Sequence, residues 1–167
     1  MKNICEWAKG LGYKAVQIPT WDERLIDIKK AGESKTYCDE VKGIVNSAGL
    51  EISELSTHLQ GQLVASHYAY DKMFDAFAPK ELHGNVKGRT LWAVNQMKSA
   101  TLASKHLGIN VMASFSGSLL FHTIYPWPQR PNGLVEAGFK ELASRWTPIL
   151  NHCKDNVFFS VEPIIYV

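Results

Sequence analysis

The chain is 167 residues long, with 46% apolar residues, 20% charged residues and a formal net charge of +2. Those totals fit a single globular domain spanning 1–167, and the mild charge, with no basic run or stripe, speaks against nucleic acid as a partner. No apolar run approaches the roughly 20 residues that cross a bilayer. Cys5, Cys38 and Cys153 show no CxxC spacing, so a soluble, cytoplasmic protein with reduced thiols is expected.

The chain opens on a helix. Ile4, Trp7, Ala8 and Leu11 recur at helical spacing, Asn3 and Glu6 have capping-box spacing, and Gly12 follows the last turn. Ala15–Pro19 reads as the first strand, closed by Pro19. After a charged connection, Ser34 caps a helix with Tyr37, Val41, Ile44, Val45 and Ala48 on one face. The second strand runs from Glu51 to about His58. A third helix is expected from a Thr90 cap to Gly108, burying Ala93, Val94, Met97, Ala100 and Leu107. Asn110–Ser116 is the third strand. The last helix aligns Val135, Phe139, Leu142, Trp146, Ile149 and Cys153, with Pro148 expected to kink or end it. Asn156–Glu162 is the fourth strand.

Strands alternating with helices predict parallel βα units, which place ligands beyond the carboxyl ends of the strands. A lone buried carboxylate costs several kcal/mol, so Glu162 should face away from the helices, with Val157, Phe159 and Val161 towards them. The same logic turns Gln17 inward, and with it Met112, Ser114 and Ser116. It also turns Glu54, Ser56 and His58 inward, although Ile52 then shares their face. Polar inward rows suit the interior of a (β/α) barrel near its mouth. Two long connections, Leu59–Arg89 and Gly117–Asn132, follow strand ends and so lie on that side.

Glu162 at a strand end can serve as a metal ligand or a base, or be a surface carboxylate with no task. His58 can donate to a substrate oxygen or shuttle a proton, or be a satisfied structural histidine. Gln17, Ser114 and Ser116 can bind a polyol or satisfy one another. Trp21 and Trp127 can stack against a sugar or pin their own loops. Gln60 and His122, on the two long connections, join them as candidate substrate contacts. No HxH, HxxxH, HExxH, GxGxxG, P-loop or GxSxG motif occurs.

Four segments resemble a known family. Gly12–Asp22 (GYKAVQIPTWD), Glu54–Leu63 (ELSTHLQGQL), and Phe115–Gly117 with Tyr125–Pro131 (YPWPQRP) look like the sugar phosphate isomerase/epimerase proteins, which are xylose isomerase-like TIM barrels. The resemblance implies a barrel of eight strands, of which this chain holds about four parallel ones, strands two to five, with outer helices. It implies metal-assisted proton transfer on a sugar or related hydroxycarbonyl substrate. Glu162 then falls on the first metal-binding glutamate, and His58 on the histidine lining the substrate pocket. A divalent ion (Mn, Mg, Co or Zn) belongs to the full-length family. With strands six to eight missing, this chain is expected to hold none and to be inactive alone. A non-catalytic α/β module that binds a polyol or a partner is the alternative, and open sheet edges invite homo-oligomers.

Overall fold

A computed structural model describes residues 1–120, 123 and 131–156, and the backbone of 163–164. Helix α1 (Lys2–Gly10) precedes strand β1 (Ala15–Pro19). Helices α2 (Ile28–Glu33) and α3 (Lys35–Ser47) lead to β2 (Glu51–Ser56). Then come α4 (His58–Val64), the short α5 (Asp71–Phe74), the long α6 (Val86–Leu107), β3 (Met112–Phe115), α7 (Leu134–Asn156) and β4 (Pro163–Ile164). All strand pairs are parallel, in the order β1-β2-β3-β4. A sheet whose spatial order follows chain order, with no switch point, is the order of a barrel rather than of a doubly wound sheet. Four parallel strands are therefore present as a partial TIM barrel, the first three where the sequence places them.

Sequence chemistry explains the element ends. Asp27 caps α2 by accepting from the Lys30 amide, Ser34 caps α3 at Tyr37, and Asn85 caps α6 at Gly88. Gly108, at φ 71°, ends α6 in the left-handed conformation that favours glycine. The α6 start is five residues earlier than a Thr90 cap would put it, because Asn85 supplies the competing cap. Pro148 sits inside α7 without ending it. Asn156 is the last residue of α7, not the first of a strand. The fourth strand pairs through Pro163 and Ile164, opposite Ser114 and Phe115. Residues 157–162 lie outside the described residues, so the expected faces of that strand do too.

The helices cover one face of the sheet. Ile18, Leu55 and Met112 meet Val41, Met97, Ala100 and Ile149 in one core, each large side chain contributing about 1.5–3 kcal/mol on burial. Along α7, Trp146, Ile149 and Cys153 are buried as expected, while Val135 and Phe139 at its start are exposed. On α1 the buried residues are Cys5 and Ala8; Ile4, Trp7 and Leu11 of the expected stripe are exposed.

Two strand-face expectations are corrected. Val16 pairs with Ile52 but Gln17 pairs with Glu54, so Ser53 is an extra residue in β2. This bulge lets Ile52 and Leu55 both pack towards the helices, with Glu54 and Ser56 left on the opposite, lumen face. Ile52 does not share the polar face after all. In β3 the order is inverted: Met112 is fully buried against the helices, which puts Ala113 and Phe115 on the lumen face. Ser114 and Ser116 are buried too. A register one residue out flips every side chain, and a four-residue strand with serines on alternate positions gives no polar signal to prevent it.

Glycine is required where α4 meets β3. A Cβ on Gly61 would lie 2.0 Å from Ser114 Oγ and 2.2 Å from the Phe115 carbonyl oxygen. Gly61→Ala should therefore destabilise the chain by at least about 1–3 kcal/mol, the range for overpacking, read as a lower urea midpoint. Unchanged stability would mean that α4 does not press on β3.

Cys38, fully buried in the core, donates its thiol to the Ala31 carbonyl at 3.2 Å. Burial pushes its pKa up to about 11, the Asp39 carboxylate adding to the rise. A raised thiol pKa favours the folded state below the ordinary thiol range, and that benefit is lost as pH climbs towards about 11. At pH 8 the native chain should react slowly with a disulfide reagent, and all three thiols rapidly once unfolded. Fast native labelling of Cys38 would contradict its burial.

Candidate functional site

The lumen face gathers polar groups at the carboxyl end of the sheet. Gln17 Nε2 donates to Glu54 Oε1 at 2.7 Å across the β1–β2 pair. Two residues further on, Ser56 Oγ and His58 Nδ1 are 2.5 Å apart. Thr57, between them, ties this corner to β3 through its amide and hydroxyl, which both donate to the Ala113 carbonyl. His58 is thus the first residue of α4, not the end of β2.

Two aromatic rings box the imidazole. Phe115 stands edge-on at 4.5 Å between centroids, and Trp21 at 6.3 Å, with interplanar angles of 79° and 81°. With Nδ1 engaged by Ser56, Nε2 is the ring nitrogen that this contact leaves for another partner. Nε2 is a donor when the serine hydroxyl donates to Nδ1, and an acceptor in the other tautomer. Beside Trp21, Arg24 donates twice to the Asp22 carboxylate, at 2.8 and 2.6 Å. That pairing holds the Asp22 carboxyl below its ordinary pKa.

Not every candidate reaches this face. Gln17, Trp21 and His58 do. Gln60 is buried one turn into α4, where it meets Thr20. Ser116 is buried as well: its hydroxyl donates to the Gly117 carbonyl, and its own carbonyl accepts from Trp146 Nε1. His122, Trp127 and Glu162 lie outside the described residues. Two lumen residues are not among the expected substrate contacts, although Glu54 is expected to face inward. Glu54 sits one pair below the rim as the partner of Gln17, and Phe115 reaches the face only through the β3 register. The alternation of Glu54 with Ser56 was the available signal for the first.

Among the described residues, no three His, Cys, Asp or Glu side chains converge on a point. These residues do not form a divalent-metal centre by themselves. No described helix is long and apolar enough to cross a membrane.

The match to known proteins agrees with this geometry. The family model for xylose isomerase-like TIM barrels matches residues 5–165. The chain belongs to that family. Among solved structures, a xylose isomerase domain protein from Planctomyces limnophilus superposes with a TM-score of 0.55 at 14% identity. The alignment covers 95% of this chain and 48% of that one, so the chain spans about half of that protein's length. At that identity the likeness shows the fold. Among curated proteins nothing matches.

A second anchoring device was not legible beforehand. Arg89 is fully buried and donates to the Asp71 carbonyl and to the Asp71 and Asp75 carboxylates at 2.6–3.0 Å. Removing a buried charge's partners is costly, so this clamp fixes the connection between α4 and α6 against the barrel wall.

Proposed function

We propose that the lumen face binds a sugar or a related hydroxycarbonyl compound. The chain would then be the substrate-orienting part of a sugar phosphate isomerase/epimerase-like barrel. The setting of His58 supports this best: one nitrogen is bonded to Ser56, aromatic edges flank the ring, and the other nitrogen is left for a ligand oxygen. Trp21 offers the flat face that sugar C–H groups pack against, and the Gln17–Glu54 pair offers both a donor and an acceptor to hydroxyls.

In this reading His58 holds the substrate oxygen, donating through Nε2 as charge builds there. Glu162 is proposed as the carboxylate that takes the proton or contributes to a metal site, with His122 and Trp127 as further substrate contacts and Ser116 and Gln60 supporting the rim. When bound, a divalent ion would polarise the substrate's oxygens. The described residues supply no ligand set for one, so sugar binding without turnover is expected of these 167 residues. The binding partner is a small molecule, in a cytoplasmic setting.

Ligand-observed NMR with a panel of aldoses and ketoses, with and without Mn²⁺, tests this. His58→Ala should weaken sugar binding about tenfold, equivalent to ~1.4 kcal/mol, and Ser56→Ala should weaken it less. A His58→Ala chain that binds as the wild type does would refute a role for the imidazole. Binding that ignores metal but disappears in Trp127→Ala would favour a non-catalytic polyol-binding module instead.

A further inference from the structure

Beside the lumen, on the other side of Trp21, the connection after β1, the start of α4, the 76–81 segment and α6 enclose a cleft of about 770 Å³. That volume lies within the ~300–1,000 Å³ of small-molecule sites. Trp21, Phe77 and Trp92 supply its flat apolar walls, and Thr20, Gln60 and Gln96 its amide and hydroxyl groups. His58, Ser56 and Glu54 take no part in it.

One group in the cleft lacks a partner. Thr20 Oγ1 lies 3.0 Å from the Ser56 carbonyl oxygen and 3.1 Å from the side-chain oxygen of Gln60. A hydroxyl has one proton, and a carbonyl can only accept. Both contacts are satisfied when the Gln60 amide is turned, so that its NH₂ donates to Thr20 while Thr20 donates to Ser56. In either orientation the far atom of the amide has no partner among the described residues, and Gln60 lines the cleft. The turned amide presents an acceptor to the cleft, which a donating ligand can meet.

We propose that this cleft is a second binding site, outside the lumen, for a neutral polyhydroxylated ring such as a sugar. Aromatic faces take the C–H side of the ring, and Gln60 and Gln96 take its hydroxyls. The carboxylates of Glu23, Asp27 and Glu81 are opposed by Lys29 and Lys80 around the rim, which suits a neutral ligand better than a strongly charged one. Asp27 already spends one oxygen on the α2 cap. The ring is either a separate molecule or the distal part of a ligand that passes Trp21 from the lumen. The proposal stands on the cleft's own residues, whatever the lumen binds.

The test follows the indole N–H of Trp92 by NMR while glucose, then a β-linked disaccharide, is titrated into the whole chain. Trp92 should shift saturably with glucose. The apparent affinity should fall about tenfold or more in Gln60→Leu and in Gln96→Ala, yet persist in His58→Ala, where lumen binding is weakened. One shared affinity reported by Trp92 and His58 with the disaccharide, tighter than with glucose, identifies a single spanning ligand. Separate affinities identify an independent site. If Gln60→Leu disturbs the fold, Gln96→Ala decides. A Trp92 signal that does not move, or that moves equally in Gln96→Ala, overturns the proposal.

Discussion

One extra residue governs the lumen. Were β2 a regular strand, Ile52, Glu54 and Ser56 would share a face, and either an isoleucine would line the polar side or two polar groups would enter the core. The bulge at Ser53 removes the conflict by giving β2 two successive residues opposite one step of β1. Ile52 and Leu55 reach the helices, and Glu54 and Ser56 reach the lumen. Glu54 then meets Gln17, and Ser56 meets His58. Bulges recur beside functional sites because they re-aim side chains that regular pleating would misplace.

The remaining supports hold what the bulge has aimed. Thr57 ties the corner to β3, and Gly61 lets α4 lie directly on the Phe115 carbonyl, which brings the His58 and Phe115 rings together. Arg89 fastens the long connection after α4, which also forms one wall of the cleft beyond Trp21. Trp21 therefore borders both spaces, edge-on to His58 on one side and facing the cleft on the other. A ligand larger than one ring would pass across it.

The parallel βα order is legible in the sequence because apolar runs and helical stripes alternate with recognisable caps, as at Ser34 and Gly108. The quoted segments carry the family, and the match over residues 5–165 bears out both family and fold. Side-chain direction is less legible. Period two cannot reveal the Ser53 bulge, and in β3 the serines that seem to mark the lumen are small enough to be buried and bonded internally, as Ser114 and Ser116 are. Arg89 escapes a sequence reading because its two carboxylates lie 14 and 18 residues away, across a connection of short helical turns.

Nuclear Overhauser contacts from Ile52 give the most direct check on the lumen. The Ile52 methyls should meet Val16 and the Val45–Leu50 cluster, while the His58 ring protons meet Phe115 and Trp21. Ile52 methyls beside the Gln17 and Glu54 side chains, with Leu55 out of the core, would show that β2 is not bulged and that the polar face is not built as described.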